Sequence, residues 1–468
     1  MQAIIDFIYG LLWNNLITIP LPGGGELGFP LMVLMLVPAG IYFTIRTKGL
    51  PVRCMGQMLR ISVEKGQSSP DGKNSISGWQ TLIVSTATRV GMGNMAGVVA
   101  AISAGGPGAV FWMWITALLG MSTAFVESTL AHQHREADPL YGGTRGGPAQ
   151  YIHAFFAKGT TKKRVLMATV FAVAGLLCWG GISQVIANSV SSAFEYAFGF
   201  KPLITTIVLV VVSAVIVLRK NATVKVLDII VPIMAVFYFA LTLFVILKNA
   251  AFLPSVFGRI FEEAFSLKAV AGGGLGAALT YGVQRGLFSN EAGSGSAPCA
   301  AAAANVSHSA KSGLFQSFGV FIDSIIICTC TALIMLLAPQ DAIAGLEGMP
   351  LLQAAMHHHF GQPGVIFIAI TLWLFCFSTF IGVLFYARSV VAYLFGDNWA
   401  SQTGYKIFSL AMLFIGGIAA YTVVWQISDI GMGIMTIMNL IVLFLMGGKA
   451  IKALEDYMSQ CKAEKKAK

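Results

Sequence analysis

Apolar positions along this chain come in blocks of about 20 residues, and the polar and charged positions collect between the blocks. A membrane-crossing helix needs about 20 predominantly apolar residues. A membrane β-barrel would instead alternate apolar and polar positions over about 10 residues, and no such alternation runs through the sequence. The blocks predict spans at roughly 28–45, 78–105, 108–131, 165–194, 202–218, 226–247, 269–304, 313–338, 363–387, 407–424 and 430–448. The seventh is long and interrupted, and an amphipathic segment precedes the first. The expected fold is an all-α polytopic membrane protein of eleven spans.

Composition sharpens this picture. Of 468 residues, 56% are hydrophobic and only 11% charged, and the mean hydropathy is +0.76; soluble domains carry about a quarter of their residues as charged groups. The first basic residue is Arg46, so no basic region precedes the first apolar run and a cleavable signal peptide is not expected. Cys54, Cys178, Cys299, Cys328, Cys330, Cys376 and Cys461 fall in apolar spans or basic segments, which argues against a disulfide framework.

The net charge of +10 raises the question of nucleic acid, and its placement answers it. Twenty-four of the 30 Lys and Arg residues lie in one alternate set of connections. The opposite set holds only Lys201, Lys248, Arg259 and Lys268, while Arg89 and Arg285 fall inside spans. By the positive-inside rule the N-terminus lies outside and the C-terminus in the cytoplasm. The expected location is a bacterial inner or plasma membrane, with the basic tail near anionic lipid.

Two spans carry helix-breaking residues in matching places. Arg89-x4-Asn94-x-Ala96-Gly97 recurs as Arg285-x4-Asn290-x-Ala292-Gly293, five spans later. Spans five apart run in opposite directions, so the pattern predicts an inverted repeat. Its parts are an N-terminal segment with an extra helix and basic loop (1–77), two five-helix units (78–250 and 251–448) and a basic tail (449–468). Interrupted segments at corresponding places in two halves mark the midplane site of secondary transporters. Glycine-mediated helix packing is the alternative, but it does not call for Arg and Asn at the same offsets. Unwound backbone is tolerated at membrane depth only where protein or a cavity satisfies it. Gly91 and Gly93 permit such unwinding; freed N–H groups then suit a carboxylate, and freed carbonyls a small hard cation.

Val90-Gly91-Met92-Gly93-Asn94 resembles the VGLGN signature of the neurotransmitter:sodium symporters, whose fold is of the leucine-transporter type. RVGMGNMAGV, AGGPGAVFWMW (104–114), RGGPAQY (145–151) and RGLFSNEAGSGSAP (285–298) together are similar to the alanine/glycine:cation symporter family, from about residue 30 to 445. The resemblance implies that Gly91 and Gly93 offer backbone N–H groups to the substrate carboxylate, with Met92 between them in the substrate site and Asn94 orienting that turn or lending an oxygen to a cation. It implies a substrate-contacting glutamine at Gln184, for which a helix–helix hydrogen bond is the alternative. Phe288, Ser289 and Asn290 fall at the second break, with Phe288 a lid over the substrate. It further implies a sodium site of the Ser378 and Thr379 hydroxyls and the carbonyls of Ala87, Val90 and Phe375, although adjacent hydroxyls in a membrane helix also bond back to their own backbone. Many family members place a pocket-walling tryptophan where this chain has Val383, which points to a larger neutral amino acid such as serine or glutamine.

Intramembrane carboxylates are expensive and functional by default. Glu291 and Asp323 are coupling groups or members of ion pairs with Arg89 or Arg285. Glu127 and Asp228 are expected to pair with basic loops, and His357, His358 and His359 to lie in an outside loop rather than on a metal. The implied activity is import of a small neutral amino acid of the alanine/glycine class with Na⁺ by alternating access, with no cofactor and no obligate protein partner. Proton coupling through Glu291 and Asp323 stays open. An ion channel fits the apolar spans but not a carboxylate-shaped site in two broken helices, and an enzyme fits worse, since neither a zinc motif, a nucleotide loop nor a Ser–His–Asp arrangement is present.

Overall fold

A computed structural model describes residues 2–21, 25–63, 90–157, 164–219, 227–266, 274–343 and 345–467. Helix α1 (Gln2–Trp13) is followed by an antiparallel hairpin, β1 (Asn15–Leu21) and β2 (Gly25–Pro30), which the sequence pattern did not suggest. Then come α2 (Leu31–Arg46), α3 (Gly93–Gly105), α4 (Gly108–Gln133), α5 (Leu166–Phe198), α6 (Pro202–Val217) and α7 (Leu227–Lys248). A 77° bend leads from α7 toward α8 (Leu253–Phe265). The remainder comprises α9 (Gly274–Asn290), α10 (Ala297–Ala303), α11 (Ser309–Leu336), α12 (Met349–Phe360), α13 (Gln362–Phe395), α14 (Trp399–Ile418) and α15 (Tyr421–Ala467).

Among the described residues, five helices are each long and apolar enough to cross a membrane: α4, α5, α11, α13 and most of α15. α2, α3 and α6 are shorter apolar helices. The chain ends its helices with local devices. Gly199, left-handed at φ 69°, stops α5, and Pro202 opens α6 at a position where its missing N–H costs nothing. Asn398 caps α14, its Oδ1 accepting from Ser401 N–H at 2.9 Å.

Two helices form the centre. α5 packs against α13, α14 and α15, and α4 packs against α9, α11 and α2. Small residues set the closest approach: a β-carbon on Gly181 would lie 2.8 Å from Ser428 Cα, and one on Gly431 2.6 Å from Cys178 Cα. The outer faces stay apolar, with Ile204, Val208, Val211, Val236 and Phe237 exposed as lipid-facing side chains would be.

At one end of the bundle the connection after α4 is tied to the α13–α14 junction by ion pairs. Arg145 meets Asp397 at 2.7 Å and Glu136 at 3.1 Å, and Arg388 pairs with Asp138. Burial works against the Arg145 charge, but Asp397 and Glu136 more than offset it and its pKa is raised. Arg388 lies 3.8 Å over the Tyr141 ring. His357, His358 and His359 are not in a loop: they form the last turn of α12, and a His359 ring nitrogen lies 3.0 Å from the Ile334 carbonyl.

Candidate substrate and cation site

The two interrupted stretches meet in the middle of the bundle. At the first, the chain bends at Val90–Gly91 and enters α3 through a widened π turn, Gly93–Gly97. Such turns are rare and frequent at functional sites. At the second, α9 stops at Asn290, and Glu291 (φ 57°), Gly293 (φ 91°) and Gly295 (φ 90°) take the chain through left-handed geometry before α10 begins. Glycine adopts these angles freely, whereas Glu291 does so at a steric cost. The breaks touch: a β-carbon on Gly93 would lie 3.0 Å from Ser289 Cα.

The paired asparagines of the repeat perform the same task. Asn94 Oδ1 accepts from Gly91 N–H at 2.8 Å, and Asn290 Oδ1 accepts from Ala292 N–H at 3.0 Å. Each side chain therefore replaces a backbone acceptor lost where its helix breaks. Met92 N–H donates to Thr379 Oγ1 at 3.1 Å. Thus two donors of the first turn, at Gly91 and Met92, are held by side-chain oxygens within the protein.

Asp323 lies behind that turn, on a second π segment (Phe321–Ile327) in α11. It is fully buried. Its Oδ1 accepts from Asn94 Nδ2 at 2.6 Å, and its Oδ2 accepts from Ser289 Oγ at 2.8 Å and Ser324 Oγ at 3.0 Å. One carboxylate thereby joins both breaks. Thr331 Oγ1 donates to the Asn94 carbonyl at 2.7 Å and lies 2.9 Å from the Tyr238 hydroxyl.

On the other side of the turn stand the α13 hydroxyls. Ser378 Oγ and Thr379 Oγ1 both donate to the Phe375 carbonyl, at 2.8 and 2.9 Å. This is the bonding back to the helix that adjacent hydroxyls favour. It also gathers three oxygens beside Gly91, a donor set that suits a hard cation. Ala87 and Arg89 lie outside the described residues. Val383, one turn beyond Thr379, is buried. Gln184 is buried in α5, its Nε2 3.1 Å from Met412 Sδ on α14, a helix–helix contact.

The partner of Arg285 is neither Glu291 nor Asp323. It pairs with Asp429 of α15, Nη2 to Oδ2 at 2.6 Å and Nη1 to Oδ1 at 3.3 Å. Gln284 Nε2 donates to the same carboxylate at 3.0 Å and to Tyr9 OH at 3.1 Å, and Trp13 Nε1 donates to the Asp429 carbonyl at 3.3 Å. The Arg285 guanidinium lies 4.1 Å over the Trp425 ring, and Trp425 packs on Phe288 with centroids 4.7 Å apart. Phe288 is therefore covered by α15, which the sequence did not connect with it.

Glu127 has partners that the sequence did not suggest. It does not face the basic loop alone: Oε1 accepts from Gly293 N–H at 3.1 Å and Oε2 from Asn439 Nδ2 at 2.8 Å. Asn439 Nδ2 also donates to the Gly293 carbonyl at 3.0 Å, and Tyr151 OH donates to Asn439 Oδ1. The unwound stretch after α9 is held by a carboxylate from α4 and an amide from α15. The Asp228 side chain lies outside those described. A cavity of about 310 Å³ reaches Ala96 of the first π turn, bordered by Asn188, Ser192, Glu195, Glu347 and Tyr421.

Comparison with known proteins gives the family. The profile of the sodium:alanine symporter family matches residues 25–468. The chain belongs to the sodium:alanine symporter family. It is 41% identical to a Bacillus subtilis protein described as a probable sodium/glutamine symporter, GlnT, over 99% of this chain and 93% of that one. It is 35% identical to the sodium/alanine symporter AgcS of Methanococcus maripaludis, over 93% and 96%. A mutant of the Eremococcus coleocola manganese transporter superposes with a TM-score of 0.55 at 13% identity, covering 84% of this chain and 88% of that one. At that identity the likeness concerns the fold alone.

As a member of the sodium:alanine symporter family, the chain is a multi-pass membrane transporter. Its α1 helix precedes the family match, yet supplies Tyr9 and Trp13 around Asp429. Asp429, Trp425, Asn439 and Tyr151 are the residues that sequence reasoning missed. Of these only Asp429 is a carboxylate beside apolar residues, a signal of function inside a span, but the expected span boundaries put it in a connection.

Proposed function

We propose that this member of the sodium:alanine symporter family imports a small neutral amino acid with Na⁺ by alternating access. The bond from Met92 N–H to Thr379 Oγ1 carries this reading, because it places a donor suited to the substrate carboxylate against a hydroxyl suited to the cation. Gly91, Met92, Gly93 and Asn94 then form one side of the substrate site, and Phe288, Ser289, Asn290 and Gln184 the other. Thr379 belongs to both sites. Na⁺ is taken by Ser378, Thr379 and the carbonyls of Phe375, Val90 and Ala87. Eleven spans, arranged as one helix plus two inverted five-helix units of the leucine-transporter type, place the N-terminus outside and the C-terminus in the cytoplasm.

The absence of a tryptophan at Val383 favours a roomier pocket, and relatives whose names include both glutamine and alanine are compatible with it. Competition by unlabelled glycine, alanine, serine and glutamine against tritiated alanine tests this; competition by glycine and alanine alone contradicts it. Proton coupling is the second reading, favoured by the buried carboxylates Asp323 and Glu291 and by a relative from Bacillus sp. PS3 named a sodium/proton-dependent alanine carrier.

A further inference from the structure

The Asn94 amide has only one orientation that fits its surroundings. As it stands, Nδ2 donates to Asp323 Oδ1 at 2.6 Å and lies 3.2 Å from the Asp323 carbonyl, while Oδ1 accepts from Gly91 N–H at 2.8 Å. Turned over, Oδ1 would face two oxygen acceptors and Nδ2 would face an N–H, so both ends would lose their bonds. The choice is made from the Asp323 side, where a charge-assisted bond outweighs a neutral one. Asp323 is itself fixed by Ser289 Oγ and Ser324 Oγ, and all three groups are buried.

We propose that Asp323 is a positioning residue for substrate: by holding Asn94 Nδ2 it keeps Asn94 Oδ1 on Gly91 N–H, so this donor reaches a substrate carboxylate only when the amide lets go. The proposal rests on the reading of Gly91 as a carboxylate-binding residue of an amino-acid symporter. It makes the first turn self-capped when empty, and it makes substrate compete with an internal ligand set by a carboxylate on a different helix. Ser289 couples the second break to the same carboxylate, so release at Asn94 is felt at both broken helices.

The test compares each amino acid with its uncharged α-amide. Dissociation constants of L-alanine, L-alaninamide, L-glutamine and L-glutaminamide are measured at saturating sodium for the full chain in nanodiscs. Asp323→Ala removes the acceptor for Asn94, and the ratio of amide to acid dissociation constants should rise about five- to tenfold, the worth of one freed hydrogen bond. Asn94→Ala should give the same rise, and Asp323→Ala added to it should give none further. Asp323→Asn keeps an oxygen for Asn94 and should restore the ratio most of the way. A structural role alone would weaken acid and amide together and leave the ratio unchanged, which overturns the proposal, as does a further rise in the double variant. If Asp323→Ala does not fold, Ser324→Ala, which only loosens the carboxylate, has to move the ratio in the same direction; no movement overturns the proposal. A wild-type chain that binds neither acid overturns the symporter reading itself, a result distinct from an unchanged ratio.

Discussion

Met92 and Thr379, 287 positions apart, are joined by a backbone N–H donating to a side-chain oxygen at 3.1 Å. Thr379 Oγ1 in turn donates to the Phe375 carbonyl at 2.9 Å. A cation drawing on that hydroxyl and carbonyl perturbs the bond to Met92, and a substrate drawing on Met92 N–H perturbs the hydroxyl. Replacing Thr379 by Val and Ser378 by Ala should therefore raise the sodium concentration for half-maximal uptake about tenfold, as expected for hydrogen-bonding groups worth about 1 kcal/mol. Sodium titration of amino-acid uptake in proteoliposomes measures it, and an unchanged midpoint removes the hydroxyl pair from the cation site.

Gly91 has no room for a side chain, since a β-carbon there would overlap Thr379 Oγ1. Gly91→Ala should lower sodium and substrate affinity together. A β-carbon on Gly93 would lie 3.0 Å from Ser289 Cα and 3.4 Å from the Phe288 carbonyl oxygen, so Gly93→Leu should abolish substrate binding in a protein that still inserts and purifies as a monodisperse species. Normal affinity in Gly93→Leu would reduce the first break to packing.

Arg285 and Asp429 form a buried ion pair under Trp425. Removing one partner of such a pair leaves a buried charge and costs about 3–5 kcal/mol. Asp429→Asn should accordingly lower the thermal unfolding midpoint in nanodiscs markedly. Arg285→Met with Asp429→Leu should lower it less than Asp429→Asn alone, because no charge is left behind. Equal and additive losses would mean that the two residues act independently.

Glu127 and Asn439 hold the same unwound segment from opposite sides, at Gly293 N–H and Gly293 O. Glu127→Gln exchanges a charge-assisted bond for a neutral one and should cost about 1–2 kcal/mol. Asn439→Ala should cost a similar amount, and the double variant less than the sum. Unfolding midpoints of the three variants decide between a shared network and separate contacts.

Much of this arrangement was legible in the sequence. The matching Asn94 and Asn290 marked both breaks, and their shared capping role follows from helix-breaking glycines beside a side chain that can replace a backbone acceptor. Partners from distant helices were not legible. Asp429 was hidden by a boundary: the sequence ends one apolar run near residue 424 and starts the next at 430, which leaves Asp429 in a connection. In the structure α14 ends at Ile418 and α15 starts at Tyr421, so Asp429 sits two turns inside a helix. Hydropathy alone cannot separate two helices joined by a two-residue turn, because Ala419 and Ala420 are as apolar as their neighbours. The Glu127 contacts with Gly293 and Asn439 were hidden for a different reason, since nearness in sequence to basic residues says nothing about the unwound backbone that α9 brings to it.

The central claim is that one constellation around Gly91, Asn94 and Thr379 couples an amino acid to sodium. Uptake of labelled alanine and glutamine into proteoliposomes, under sodium, potassium or proton gradients imposed separately, tests it most directly. The account predicts saturable, concentrative uptake with an inward sodium gradient, collapse of that uptake when the gradient is dissipated, and a sodium midpoint shifted about tenfold upward in Ser378→Ala with Thr379→Val. Uptake driven equally well by a proton gradient in the absence of sodium would contradict it.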